Sequence, residues 1–313
     1  IDNDAKTVVM YDGLNINQRC FHGYPFGFRS PLTGNISDIE IINGPGAIKH
    51  GSGAINGFIN IIPKTGSANP GFFARGTHGF QEKLFEAETG YGKKFGTGKD
   101  IYLYAGISRA GGFKPDDVFE HQFPYGLRSS LIDSVKNYKV HGNTLQPLIK
   151  FSVVYNHNNF SLNTFYDQIL TPSNTFSHPG HFRQRMFVFN PKYTINLNQY
   201  DDLEMSVSAS FFDHQFYLLD LQGEFAPTGE FGKAGGKENH FQGKALYKTK
   251  RFSKHELAAG LLVAKRQFAG KEQYFSDDLA SSFAIADTHW EEYSVFFEDV
   301  ITPVPRFSVS AGL

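Results

Sequence analysis

The sequence has little of several residue types, and each shortage excludes a class of protein. Of its 313 residues, one is Cys, one is Trp and three are Met. A lone cysteine, Cys20, rules out an intrachain disulfide framework. No apolar run approaches the roughly 18 residues that a membrane-spanning helix needs. The formal net charge is -1, so the charge balance gives no reason to expect nucleic acid or an anionic membrane surface as a partner.

Signatures of catalysis are also missing. The chain has no Gly-x-Ser-x-Gly elbow, no HExxH and no phosphate-binding loop. Adjacent acids do occur, but neighbouring residues in an extended chain point apart and are expected to be solvated. These pairs are Asp116-Asp117, Asp201-Asp202 and Asp277-Asp278. The sequence therefore predicts no catalytic residue and no cofactor.

Aromatic residues and glycine are what the sequence has in excess, with 32 Phe, 15 Tyr and 32 Gly. This bias favours strands and turns. From about residue 71 onward, apolar and polar residues alternate, as where Phe151 and Val153 flank Ser152. A period of two gives each strand one apolar and one polar face. A transmembrane barrel has this pattern, and so does a soluble β-rich protein.

The lengths of the connections separate these two alternatives. Strands are predicted near 71–77, 80–93, 100–111, 147–157, 160–170, 183–195, 203–213, 239–249, 255–268 and 287–299, and an eleventh begins near 306. Short connections at 96–99, 157–159, 197–202, 251–254 and 302–306 alternate with long ones at 112–146, 171–182, 214–238 and 269–286. Outer-membrane barrels have short periplasmic turns and long extracellular loops, so this alternation favours a barrel.

The first 70 residues show little of this long-range alternation and contain two distinctive segments. Residues 7–17 read TVVMYDGLNIN, in which a buried strand runs into a tight Asp12-Gly13 turn. Residues 36–64 read ISDIEIINGPGAIKHGSGAINGFINIIPK. Here a strand stops at Gly44-Pro45, because proline cannot donate a ladder hydrogen bond and glycine permits conformations closed to other residues. A short helical turn over 47–50 and a last strand from Gly57 are expected to follow.

This ordered pair of segments resembles the plug domain of the TonB-dependent outer-membrane receptors. In that family a strand carrying Asp-Gly is followed some 25 residues later by a glycine-framed stretch of the same layout. The chain departs from the family pattern at Asn43, His50 and Asn56, where Arg, Tyr and Gly are common. The matching plug-motif residues are Asp12, Gly13, Glu40, Gly44, Pro45, Gly51, Gly53, Gly57 and Asn60. Most are expected to hold the plug's fold, whereas Glu40 is expected to make a polar contact inside the barrel wall.

The resemblance implies a mainly β fold with two parts. Residues 1–70 would be the C-terminal part of a small α/β plug domain. Residues 71–313 would be the N-terminal half of an antiparallel up-and-down transmembrane β-barrel, with about 10–11 of an expected 22 strands. The chain begins without Met and ends inside an alternating run, so it is interpreted as a fragment that lacks the TonB box.

The function that the resemblance implies is TonB-dependent active transport of a scarce ligand across the bacterial outer membrane. TonB, the ligand and outer-membrane lipid would be its partners, and a ferric siderophore is the cargo expected from the family. Uptake of haem, cobalamin, copper or an oligosaccharide stays open. So does a soluble or surface-anchored β-rich binding module, such as an adhesin. An enzyme is the third alternative.

A candidate ligand site lies between the two plug segments, because apical plug loops meet the substrate in the family. Its arginines can grip an anionic ligand, and its aromatic rings can stack on a ligand or pack the plug against the barrel. Cys20 and His22 have the spacing to contact a soft metal such as copper, but two residues are too few for a metal site. The candidates are Arg19, Cys20, Phe21, His22, Tyr24, Phe26, Phe28 and Arg29.

Overall fold

The computed structural model describes residues 7–17, 32–43, 57–80, 83–113, 140–141, 147–174, 179–218, 232–275, 287–304 and 307–312. Within these ranges every regular element is a β-strand. The same ranges hold no helix long and apolar enough to cross a membrane. The helical turn predicted over 47–50 lies outside the described residues.

A small four-stranded sheet is built from the first part of the chain. It consists of β1 (Thr7–Tyr11), β2 (Leu14–Asn15), β3 (Ile36–Asn43) and β4 (Gly57–Pro63), in the order β2-β1-β4-β3. Strand β1 runs parallel to β4, and β3 runs antiparallel to it. Between β1 and β2, Asp12 and Gly13 have φ values of 50° and 77°, which is the tight turn that the Asp-Gly pair predicts.

The rest of the described chain forms mostly one large sheet, here called the wall. Its eleven strands follow the order β17-β16-β15-β14-β13-β12-β11-β10-β7-β6-β5, and each pairs antiparallel with its neighbours. A separate two-stranded sheet joins β8 to β9. The bounds are β5 (Gly71–Gly79), β6 (Leu84–Lys94), β7 (Lys99–Arg109), β8 (Gly112–Phe113), β9 (Val140–His141), β10 (Leu148–His157), β11 (Phe160–Asn174), β12 (Pro179–Asn196), β13 (Asp201–Leu218), β14 (Gly232–Thr249), β15 (His255–Phe275), β16 (Thr288–Val304) and β17 (Phe307–Gly312).

The predicted antiparallel strands and the up-and-down order of the wall are confirmed, but three of the predicted long connections are too long. Strand occupies 214–218 and 232–238 of the loop predicted over 214–238, and 269–275 of the loop predicted over 269–286. Strand β11 continues to Asn174 and β12 begins at Pro179, so most of the long loop predicted over 171–182 is paired strand. The ladder continues there because backbone hydrogen bonds do not require apolar side chains. Sequence alternation marks only the part of a strand where one face is apolar.

The two faces of the wall have an unusual distribution of polarity. On the outer face, large apolar side chains are exposed, including Val207 at 71% and Val295 at 81%. On the inner face, polar residues such as Ser208, Gln242 and Glu298 are buried. A sheet that faces water has the opposite arrangement, with its apolar face covered. An apolar exposed face and a polar inner face are typical of a sheet whose outer side meets lipid.

The small sheet packs against this inner face. Val9, Tyr11 and Ile61 from the small sheet form one apolar cluster with Phe165 and Met186 of the wall. The rings of Tyr11 and Phe165 have centroids 4.2 Å apart. Strands β11 to β13 therefore provide the surface on which the small sheet is seated.

Candidate functional site

The Asp12-Gly13 turn is attached to the wall by a charged contact. Lys192 Nζ on β12 donates to Asp12 Oδ2 at 2.7 Å and to the Asp12 carbonyl at 2.5 Å. Asn190 Nδ2, two residues earlier on the same face, donates to that carbonyl at 3.4 Å. Charge-assisted bonds of this kind are about twice as strong as neutral ones. The turn is thus fixed at its tip to one wall strand.

Behind the turn, Asn60 links three parts of the small sheet. Its Oδ1 accepts the Gly13 N–H at 3.0 Å, and its Nδ2 donates to Glu40 Oε2 at 3.0 Å. Glu40 is exposed on β3, and its hydrogen-bond partner among the described residues is Asn60. The structure therefore gives Glu40 a contact inside the small sheet, where the sequence predicted a contact with the wall.

A second attachment centres on the carboxylate of Glu88, which is 4% exposed on the inner face of β6. Its Oε2 accepts the Gly34 N–H at 2.7 Å and the Tyr104 hydroxyl at 2.6 Å. Its Oε1 accepts from Arg75 Nε at 2.8 Å. Tyr102 completes the contact by donating its hydroxyl to the Gly34 carbonyl at 3.2 Å. Both backbone polar groups of Gly34 are therefore held by the wall.

A third attachment involves charges buried between the two sheets. Lys150 on β10 lies opposite Asp167 on β11, and both side chains are buried. Lys150 Nζ donates to the Leu32 carbonyl at 3.0 Å. A buried ammonium group is costly unless it is hydrogen-bonded, and the Leu32 carbonyl provides that bond. Lys150 therefore holds the backbone of the 32–35 segment against the wall.

Tyr11 lies beside this pair and is fully covered. Its hydroxyl accepts a hydrogen bond from Asn35 Nδ2 at 3.0 Å. Burial raises the pKa of Tyr11, and the bond from Asn35 only partly opposes that shift. The phenol therefore stays neutral at any physiological pH, and the hydroxyl keeps the same role in the contact.

Two further contacts spread the attachment around the wall. Arg266 Nη1 on β15 donates to the Asn17 carbonyl at 3.3 Å. Asp100 Oδ1 on β7 accepts the Gly66 N–H at 2.9 Å. Polar groups from β6, β7, β10, β12 and β15 therefore hold the first part of the chain, and most of them bind its backbone. Such contacts fix the position of the first part of the chain on the wall. The two surfaces can still separate, because water can replace each hydrogen bond.

Several solved structures have a fold similar to that of this chain. The chain is similar to the siderophore receptor PirA from Pseudomonas aeruginosa, with a TM-score of 0.56 and 13% identity over 98% of this chain and 47% of that one. It is similar to the copper transporter OprC, with a TM-score of 0.65 and 11% identity over 98% and 46% of the two chains. The FrpB iron transporter from Neisseria meningitidis aligns with a TM-score of 0.62 and 13% identity, over 99% and 50%.

This is the fold of the TonB-dependent outer-membrane receptors. At identities this low, the similarity concerns the fold alone. The chain spans about half the length of each of these solved structures. No family model matches the sequence, and no curated protein matches it.

Within this receptor fold, part of the predicted site lies outside the described residues. That part comprises all eight ligand-binding candidates, Arg19, Cys20, Phe21, His22, Tyr24, Phe26, Phe28 and Arg29, and four motif residues, Gly44, Pro45, Gly51 and Gly53. Of the remaining motif residues, Asp12, Gly13, Glu40 and Asn60 are brought together around one turn. Gly57 has a φ of 132°, which other residues rarely adopt. In the part of the chain that the structure describes, no cluster of three or more His, Cys, Asp or Glu could hold a metal ion.

Sequence reasoning missed the wall residues that hold the small sheet. Glu88, Lys150 and Lys192 all occupy inward positions of alternating strands. A charged residue at such a position is a usable signal, because it must find a partner inside the receptor fold. The pattern does not identify that partner, since the contacts between the wall and the first part of the chain join residues as far as 249 positions apart.

Proposed function

We propose that the protein is a TonB-dependent transporter of the bacterial outer membrane that takes up a scarce ligand. The observation that carries this proposal is the polarity of the wall, whose exposed face is apolar and whose buried face is polar. Such an exposed apolar face is stable in contact with lipid, as on the outside of a transmembrane barrel. The similarity in fold to siderophore, copper and iron transporters supports the same reading.

In this proposal residues 1–70 act as a plug and residues 71–313 form part of the barrel that encloses it. A barrel as wide as the 22-stranded one expected would be an open channel without its plug. The polar contacts of Asp12, Gly34 and Leu32 keep the channel shut. TonB, as the energy-transducing partner, supplies the work that separates them when a ligand has bound outside.

A ferric siderophore is the proposed cargo, and the protein is proposed to act on it as a carrier and not as an enzyme. The candidate ligand residues Arg19 and Arg29 are suited to the anionic chelate, because guanidinium groups bind carboxylates and catecholates through charge-assisted hydrogen bonds. The neighbouring aromatic residues supply flat faces for the organic part of the chelate.

Uptake of a labelled ferric siderophore tests this function. Cells that lack the gene are grown under iron starvation and compared with cells that carry it, in strains with and without TonB. The proposal predicts uptake that requires both the gene and TonB. Uptake that persists without TonB, or the absence of any iron-dependent uptake, would overturn it.

The ligand site is tested separately by the double variant Arg19→Ala plus Arg29→Ala. We expect ligand affinity to fall by about tenfold or more, because each charge-assisted bond contributes about 1.5–3 kcal/mol. Affinity is measured with the full-length protein in detergent, and Lys250→Ala plus Lys265→Ala serves as the matched control. Unchanged affinity in the arginine variant, with folding intact, would remove these residues from the site.

A further inference from the structure

Strands β6 and β7 each carry a lysine next to their connecting turn, and both lysines lie near one exposed aromatic ring. Lys93 Nζ lies 5.0 Å from the centroid of the Phe95 ring, and Lys99 Nζ lies 5.9 Å from it. Phe95 is 47% exposed. These three residues are called the turn cluster below. Two cations share one apolar surface here, although like charges repel one another.

The turn cluster lies on the outer side of the wall. Lys93 pairs with Ile101 in the β6–β7 ladder, and the Phe95 N–H donates to the Lys99 carbonyl at 2.7 Å. Tyr91 and Leu103, which follow on the same face, are exposed apolar residues. The cluster therefore sits where the apolar outer band ends, on the side of the wall that has the short turns.

Neither lysine of the turn cluster has an acidic partner in the described part of the chain. The turn between β14 and β15 is a useful contrast, because it also carries an exposed aromatic residue, Phe252. There, Lys250 pairs with Glu256 at 3.2 Å, and Arg251 pairs with Asp201. Two cations of the β14–β15 turn are thus paired with carboxylates of the same chain, whereas within the described residues Lys93 and Lys99 are not.

We infer that the turn cluster binds the phosphate of an anionic phospholipid headgroup in the leaflet that meets the short turns. Aromatic side chains favour the boundary between lipid tails and water, and lysines near that boundary attract anionic headgroups. Two ammonium groups near one ring provide charge for the phosphate, while the ring itself contacts the first part of the acyl chains. The inference rests on the proposed location of the wall in a membrane.

Binding of phosphatidylglycerol to the purified full-length protein tests the inference. The protein in detergent is titrated with short-chain phosphatidylglycerol or phosphatidylcholine, and bound lipid is counted by native mass spectrometry. We expect phosphatidylglycerol to bind preferentially, and Lys93→Gln plus Lys99→Gln to weaken it by about tenfold or more. The matched control, Lys250→Gln plus Lys265→Gln, removes the same charge from lysines that have carboxylate partners and should leave binding unchanged.

Three results would overturn the inference. One is wild-type affinity for phosphatidylglycerol in the Lys93/Lys99 variant, and another is an equal loss in the control variant. The third is displacement of the lipid by inorganic phosphate at equal concentration, which would make the cluster a site for free phosphate. Failure of the proposed membrane location would look different, because the unmodified protein would then stay soluble without detergent. Failure of the proposed transport would appear in the uptake assay and would leave lipid binding unchanged.

Discussion

The contact between the wall and the 32–35 segment leaves no space for a side chain at Gly34. A Cβ added there would lie 2.7 Å from Glu88 Oε2 and 2.8 Å from the rings of Phe73 and Tyr104. All three neighbours are fixed in the contact between the small sheet and the wall. The substitution Gly34→Ala should therefore overpack the contact and destabilise it by about 1–3 kcal/mol.

A urea titration of the protein in detergent measures this effect. The quantity compared is the urea concentration at the midpoint of the transition in which the small sheet separates from the wall. Gly243→Ala is the matched control, since a Cβ at Gly243 has nothing within 4 Å. The account predicts a lower midpoint for Gly34→Ala only. Equal midpoints for the two variants would show that Gly34 is not held against the wall.

Lys192 gives a second test at the scale of one residue. Lys192→Met keeps most of the side-chain volume but removes the donor to Asp12, whose carboxylate is only about one-third exposed. We expect a loss of about 1–2 kcal/mol and a leakier channel. Sensitivity of cells to a large antibiotic such as vancomycin reports the leak.

Lys265→Met is the control for Lys192, because Lys265 pairs with Glu291 at 3.6 Å on the exposed side. An exposed pair contributes between zero and about 1 kcal/mol, so this variant should stay impermeable. If both variants leak to the same extent, the Asp12 contact does not close the channel.

At the scale of the strand, alternation decides which side chains meet lipid. Val207 is 71% exposed near the middle of β13, between Ser206 and the buried Ser208. If the outer face meets lipid, Val207→Lys should destabilise the folded wall by about 2–4 kcal/mol. In water the same exposed substitution would fall within about 0.5 kcal/mol of neutral. Folding free energy in lipid vesicles distinguishes the two, and Val207→Leu should behave as the unmodified protein.

Much of the strand pattern is predictable from sequence, and the reason is visible in β10. Ile149 and Phe151 point outward while Lys150 and Ser152 point inward, as a period of two requires. The end of β11 is not predictable in this way, because the ladder there continues through residues whose side chains carry no alternation. The backbone determines the end of such a strand, and the side chains do not mark it.

At the scale of the whole molecule, contacts between distant segments are what the sequence conceals. The plug-like motif predicts the Asp12-Gly13 turn, but nothing near it in the chain points to Lys192. The positive charge of the turn cluster is not visible in the composition either, because the net charge of the whole chain is close to zero. Register between β12 and its neighbours brings Lys192 to the turn, and register is a property of the assembled sheet.

The central claim is that the outer face of the wall meets lipid, and spin-label accessibility along β13 tests it most directly. In a Cys20→Ser background, residues 205–211 are replaced one at a time by labelled cysteine in the full-length protein reconstituted in lipid vesicles. Collision rates with oxygen, which concentrates in lipid, are compared with those of a water-soluble nickel complex. The account predicts high oxygen access at Met205, Val207, Ala209 and Phe211, and low access at the serines between them. Preferential access of the nickel complex to the odd-numbered positions would contradict it.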